Sequence, residues 1–187
     1  MRSMGAESRV AGGAPRPLWP VPMELRSAWE TIYAEHRVEL LRYVHRLTRD
    51  AHLAEDIVQD AFLRLWRETK AVDNPRSWLY RVCTNMIRDH ARRAAIRERP
   101  VAPTDEEVAD SPDTELERAE SIHTVRLALA RMLPRDREAL LLREAGFRYA
   151  EIADVINVRV AIVPTLIARA LKRFHKAYLQ ETTDVTP

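Results

Sequence analysis

Cysteine, glycine, lysine and long apolar runs are all scarce in this chain, and each scarcity closes off a class of protein. A single cysteine, Cys83, rules out an intrachain disulfide and supplies no thiolate cluster. Six histidines are scattered without ligand spacing, so neither a metal nor any other cofactor is expected. Only four glycines occur in 187 residues, and alternating runs of Val, Ile and Thr are missing, which excludes a fold built on strands and tight turns. No apolar stretch approaches the ~20 residues that a membrane helix needs, and none of the expected partners is a bilayer. The segment before Met23 lacks the apolar centre of a secretion signal, so a cytoplasmic protein is expected. A glycine-rich phosphate loop is also missing and Cys83 falls on a core face, so no catalytic residue is nominated and an enzyme is the least favoured class.

What remains is 46% hydrophobic and 31% charged residues in apolar periodicities near 3.6, the composition of an all-α protein. The formal charge of +2 and pI near 8.9 suit a partner of nucleic acid but decide nothing alone. Of the 30 basic residues only Lys70, Lys172 and Lys176 are lysines. GC-rich coding is the plainer cause of the arginine excess and phosphate binding the sharper one, and the coding cause is preferred because many of these arginines lie on every face of their helices.

Residues 1–22 hold three of the four glycines and Pro15, Pro17, Pro20 and Pro22, which reads as a disordered tail, with Met23 an alternative start. A first domain spans 23–98. Its helices are expected over about Leu25 to Thr48, Leu53 to Lys70, and Pro75 to Arg93, the last capped by Asn74. A flexible linker rich in Pro and acids covers 99–113. A second domain, 114–180, carries a helix to about Met132, another from Pro134 ending at Gly146, a short helix Tyr149 to Ile156, a turn at Asn157-Val158, and a last helix. That final pair has helix-turn-helix dimensions. Residues 181–187 read as a C-terminal tail.

In the second helix Ala54, Ile57, Val58, Ala61, Phe62 and Leu65 share the core stripe. Asp56, Gln59, Asp60 and Leu63 cluster opposite, with Trp66 at their edge. Carboxylates around an apolar anchor have the form of a protein interface, although periodicity alone leaves a merely solvated face equally open. In the third helix Leu79, Val82, Cys83, Met86 and Ile87 form the core stripe, and Arg81, Asn85, Arg88 and Arg92 lie opposite. Guanidiniums at helical spacing can track phosphates, and an amide among them can read a base edge. Arginine-rich faces also serve solubility alone.

The stretch AEDIVQDAFLRLW, followed by NPRSWLYRVCTNMIRDHARR, resembles the second conserved region of extracytoplasmic-function sigma factors, of the sigma-70 family. LARMLPRDREALLLREAGFRYAEIADVI resembles the family's fourth region. The resemblance covers roughly Trp29 to Tyr178 and implies two small helical domains, a region 2 bundle and a region 4 helix-turn-helix, joined by a flexible linker. It implies docking on core RNA polymerase, at the beta-prime clamp helices and the beta flap, through Asp56, Gln59, Asp60, Leu63 and Trp66. It implies capture of the opened minus-ten promoter strand by the loop 71–76 and the third helix, nominating Asn74, Arg76, Tyr80, Arg81, Asn85, Arg88 and Arg92. Tyr80 is ambiguous between stacking and core; Trp78 sides with the core. Anti-sigma factors are usual partners of the family.

Past Ile156 the chain departs from the family. Arg159 stands where a capping serine is usual, Arg148 replaces another, and Val160 to Val163 are apolar where base-reading groups are expected. Pro164 inside a helix costs ~3 kcal/mol, so the last helix is expected to begin nearer Val163 or Pro164 than Val160, or to be kinked there. Its outward set, Thr165, Arg169, Lys172, Arg173 and Lys176, joins Arg159 as the candidate minus-thirty-five contacts, set against a buried set of Ile167, Ala170, Leu171, Phe174 and Tyr178. Two functions stay in play: a sigma factor that directs promoter recognition and opening with an atypical apolar recognition helix, or a sigma-like regulator whose C-terminal domain binds a protein. A plain helix-turn-helix repressor would leave the Asp56 to Trp66 face unexplained. Both favoured functions require Asp56, Asp60 and Asn85 to be accessible.

Overall fold

A computed structural model describes residues 23–68, 72–96 and 115–184, all of whose regular structure is helical. The expected tail 1–22 and linker 99–113 lie outside the described residues. Among the described residues seven helices follow in order: α1 Met23–Thr48, α2 Ala51–Arg67, α3 Pro75–Ile96, α4 Glu115–Ala130, α5 Pro134–Glu144, α6 Tyr149–Ile156 and α7 Val163–Asp184, the last preceded by a 3-10 turn, Val160–Ile162. Among the described residues no helix is long and apolar enough to cross a membrane.

Helices α1, α2 and α3 form a bundle. The break between α1 and α2 is local chemistry. Arg49 takes a left-handed φ of 58°, Thr48 donates its hydroxyl back to the Val44 carbonyl, and the Asp50 carboxylate accepts the Leu53 N–H at 2.9 Å to start the next helix. Asn74 does the same for α3, its Oδ1 accepting the Ser77 N–H at 2.9 Å, and Pro75 opens the helix where its missing N–H costs nothing. Leu40 and Val44 of α1, then Ala54, Ile57, Val58, Ala61 and Phe62 of α2, close over Leu79 and Cys83 of α3. Inside, the Tyr43 and Thr84 hydroxyls lie 2.8 Å apart, and Thr84 donates to the Tyr80 carbonyl. Burial raises the Tyr43 hydroxyl above its ordinary range.

Two expectations for α3 need correction. Tyr80 and Thr84 are fully buried, whereas Val82, Met86 and Ile87 are only partly so. The cause is a second neighbour: α3 packs on α6 as well as on α1 and α2, which widens its buried arc toward Tyr80. Tyr80, 1% exposed, lies between the rings of Tyr43 (4.8 Å) and Phe147 (4.7 Å), so in this arrangement it is a core residue with no face to offer a base.

The C-terminal half packs α7 against α4, α5 and α6. Gly146 ends α5 at φ 84°, its N–H bonding the Arg143 carbonyl and the Phe147 N–H the Leu142 carbonyl. This double closure is the Schellman form, and it drives Phe147 into the core. Helix α6 lacks a side-chain acceptor at Arg148, but the Glu151 carboxylate accepts the Arg148 N–H at 2.8 Å, which holds that carboxyl below its usual range. Asn157, left-handed at φ 55°, closes α6. Pro164 falls in the first turn of α7, where the expected late start of the helix spares a hydrogen bond. The buried stripe of α7 is Val163, Leu166, Ile167, Ala170 and Ala177, with Phe174 packed beside it; Leu171, expected inside, is exposed because it lies about 100° around the helix from Ala170. The helix also continues through 181–184, expected as tail, where buried Glu181 meets Arg131 at 2.7 Å.

Replacing Gly146 by Ala should cost about 1 kcal/mol in urea unfolding, because its added Cβ meets no atom within 4 Å and only the left-handed backbone is strained. The Cys83 thiol, buried and pushed up to about 12, should resist iodoacetamide at neutral pH until the chain is unfolded, as mass spectrometry of the alkylated protein would record.

Candidate functional site

On α2 the apolar stripe fixes what faces out. Asp56 and Gln59 are exposed, Asp60 is partly so, and Leu63 and Trp66 stand 40% and 37% exposed beside them. Trp66 is held edge-on to Trp29 with ring centres 5.5 Å apart, and Trp29 stacks on Tyr33 at 5.1 Å. The indole is thus presented on a rigid base, the form of a hot-spot residue. Arg64 pairs with Asp60 across one turn at 3.1 Å. The five nominated residues share one face, and four of them, all but Trp66, line an open groove whose other wall is Met86, Asp89, His90 and Arg93 of α3. Asp89, His90 and Arg93 were not singled out from the sequence, and Met86 was read only as core, although Asp89 and Arg93 are one turn apart on α3.

Asn85 is exposed on α3, and Arg92 is exposed with an ion pair to Asp89 at 3.4 Å. Asp56, Asp60 and Asn85 are therefore all reachable by a partner, as both candidate functions require. The other nominated α3 groups face the C-terminal half. Arg76 donates to the Ala145 carbonyl at 2.5 Å and lies over the Phe147 ring, 4.3 Å from its centre. Arg81 donates to both oxygens of Asp154 at 3.0 Å. Arg88 forms a fork with Glu138, Nε to Oε1 at 3.0 Å and Nη2 to Oε2 at 2.5 Å, which raises its already high pKa. The Asn74 amide nitrogen lies 3.4 Å from a Glu151 carboxylate oxygen. Burial drives the Tyr80 hydroxyl up to about 12, against the pull of the Arg76 charge.

In the C-terminal half Arg159, Thr165, Arg169, Lys172, Arg173 and Lys176 are all exposed. Two of them have a second employment: Arg169, at 3.0 Å, and Arg173 both pair with Asp136 of α5, a carboxylate only 1% exposed. They tie α7 to α5 from the buried side while their outer N–H groups still meet solvent. Ahead of them the 3-10 turn leaves Val160 and Ile162 about half exposed, an apolar tip where a helix-turn-helix would present base-reading groups.

Two family descriptions match this arrangement: Sigma-70 region 2 over residues 32–96, which span α1 to α3, and Sigma-70, region 4 over residues 122–174, within α4 to α7. The chain belongs to the sigma-70 family. The ECF RNA polymerase sigma factor SigL of Mycobacterium tuberculosis is 32% identical over 155 residues, covering 75% of this chain and 83% of the relative. The relative named Probable ECF RNA polymerase sigma factor SigI, from the same species, is 31% identical over 168 residues, 84% of this chain and 57% of that one. Within the family, then, this is a factor of the extracytoplasmic-function group. The fold agrees with the sigma factor RpoE of Bartonella quintana, solved with the anti-sigma factor NepR, at a TM-score of 0.63 and 20% identity over 89% of this chain and all of that one. It agrees also with CnrH, solved with the cytosolic domain of CnrY, at 0.60 and 24% over 81% and 87%. Factors of this group act in RNA polymerase-directed transcription initiation and are regulatory proteins rather than enzymes.

The double change Arg169→Ala with Arg173→Ala leaves the buried Asp136 charge without partners and should lower stability by about 2 kcal/mol, below the range for a fully buried pair because both guanidiniums are half exposed. Lys172→Ala with Lys176→Ala should shift it by no more than about 0.5 kcal/mol. Chemical denaturation of both variants separates the structural cations from those free to meet phosphates.

Proposed function

We propose that the chain docks on core RNA polymerase through the exposed α2 face of Asp56, Gln59, Asp60, Leu63 and Trp66, engaging the beta-prime clamp helices, while its C-terminal half meets the beta flap. The observation that carries this reading is the joint exposure of an acidic rim and a rigidly backed apolar centre on one stripe of α2. Once docked, Arg76, Arg81, Arg88 and Arg92 hold the phosphates of the opened minus-ten strand, and Asn85 reads a base edge, with Asn74 shaping the loop before α3. Tyr80 takes no part as a stacking group. In the C-terminal half Arg159, Thr165, Arg169, Lys172, Arg173 and Lys176 grip the minus-thirty-five backbone. Sequence readout there relies on the apolar tip against thymine methyls and on DNA shape. An anti-sigma partner, of the kind that RpoE binds, covers these faces when the factor is idle.

The same apolar tip favours a second reading, in which Val160 and Ile162 bind a protein and the chain is a sigma-like regulator. A gel shift with polymerase, comparing promoter DNA with a scrambled minus-thirty-five element, separates the two: loss on scrambling supports the sigma factor, indifference the regulator.

Asp56→Arg with Asp60→Arg should abolish co-purification with core polymerase and run-off transcription. The thermal midpoint should change little, since neither side chain contributes to the core. Retained polymerase affinity in that variant would remove α2 as the docking face.

A further inference from the structure

The tip of the helix-turn-helix offers a partner hydrocarbon and no side-chain hydrogen bond. Val160, Ala161, Ile162 and Pro164 are exposed around the buried anchor Val163, and Thr165 is the first side chain after Arg159 that carries a polar group. The backbone beneath them is fixed: the Ile162 N–H bonds the Arg159 carbonyl at 3.0 Å, and the Val163 N–H bonds the Val160 carbonyl. Val160 and Ile162 are β-branched and stiff at χ1, so the tip keeps one shape. The charge around it is of one sign. Between Asp154 and Glu181 the chain has no acidic residue, while Arg159, Arg169, Lys172, Arg173 and Lys176 all stand exposed. A rigid apolar tip ringed by cations suits a polyanion that carries hydrocarbon between its charges.

Duplex DNA is such a polyanion, and the hydrocarbon that its major groove shows a side chain is the C5-methyl group of thymine. Cytosine methylated at C5 carries the same group at the same place. The two bases differ only beside it, where thymine shows an O4 acceptor and cytosine an N4 donor. A side chain that neither donates nor accepts cannot tell them apart.

We infer that Val160 and Ile162 read the C5-methyl itself, so that 5-methylcytosine takes the place of thymine in the minus-thirty-five element and cytosine methylation tightens the grip of the factor on a promoter. This rests on the sigma-factor reading of the C-terminal half and adds to it a modified base as ligand. Arg159 and Thr165, on either side of the tip, stay with the phosphates and are indifferent to the methyl. Burying one methyl carbon against the tip is worth about fourfold in affinity. Loss of that carbon from thymine, which leaves uracil, weakens binding by the same factor.

The test gives core polymerase carrying the full chain three pools of one random-sequence duplex, with core polymerase alone as the baseline. One pool is copied with thymine and cytosine, one with uracil and cytosine, and one with thymine and 5-methylcytosine. Retention should rise about fourfold from the uracil pool to the ordinary pool, and rise again to the 5-methylcytosine pool. Among the recovered sequences, positions filled by thymine in the ordinary pool should be filled by thymine or cytosine alike in the 5-methylcytosine pool. Val160→Ala with Ile162→Ala should bring the three pools to equal retention, and Ile162→Ala alone should narrow their spread. Both side chains are about half exposed, so neither variant opens the core. Equal retention of the three pools by the wild-type chain, a spread that survives loss of both side chains, or thymine kept in preference to 5-methylcytosine each overturns the methyl reading. Run-off transcription keeps the two questions apart. A chain that binds core polymerase and yields transcript but treats the pools alike sinks the methyl reading alone. A chain that yields no polymerase-dependent transcript, yet by itself retains the 5-methylcytosine pool above the others, sinks the sigma-factor reading alone.

Discussion

The fork between Arg88 on α3 and Glu138 on α5 governs how the two halves of the chain meet. A carboxylate as buried as Glu138 is tolerated only with a charged partner, because an unpaired ion in a low-dielectric interior costs several kcal/mol. The nearby Arg137 guanidinium donates instead to the Leu47, Ala130 and Met132 carbonyls, so it does not replace Arg88. Once the fork is made, the remaining contacts follow from geometry. Arg81, two turns earlier on the same face of α3, comes opposite Asp154, and Arg76 comes over Phe147 and the end of α5. Buried residues of the two halves consequently join one continuous apolar cluster rather than two separate ones.

That junction divides the labour between two adjacent helices. The outward stripe of α2 is left clear of the C-terminal half, while most of the basic stripe of α3 is covered by it. An acidic, aromatic-centred surface and a basic one are thereby held about a helix diameter apart, with Met86, Asp89 and His90 between them. The aromatic column Trp29, Tyr33, Phe62 and Trp66 stiffens the first surface from behind. A rigid anchor loses little side-chain entropy on docking, and so a small patch can suffice for a specific contact.

Helix content, the α2 core stripe, the Asn74 cap, the Gly146 stop and the late start of α7 were legible in the residues because each is set by local chemistry. Ala54, Ile57, Val58, Ala61 and Phe62 are buried as the 3.6-residue period requires, and Pro164 restricts where α7 can begin. What could not be read is whatever depends on a second element arriving. Tyr80 looked ambiguous because its position lies between the core stripe and the basic stripe; only the approach of α6, carrying Phe147 ahead of it, turns that side of α3 into interior. Glu138 and Asp136 were not singled out, since nothing within α5 reveals that Arg88 and the pair Arg169 and Arg173 will converge on them. The face of α2 was legible for the converse reason: none of the described residues comes to cover it.

Helix α5 therefore carries two buried acids with opposite allegiances. Asp136 binds the arginines of α7 and stabilises the C-terminal half within itself, whereas Glu138 binds Arg88 and joins that half to the bundle. Asp136 lies in the first turn of α5, whereas Glu138 lies beyond it. Separating the halves would expose Glu138 to water, which solvates a carboxylate well, so opening breaks the ion pairs of Arg88, Arg81 and Arg46 without stranding a buried charge. Breaking Asp136 from its arginines with the half still folded would strand one. The two acids thus differ in what losing the partner would cost: Glu138 is resolvated as the halves part, whereas Asp136 stays buried as long as the C-terminal half is folded.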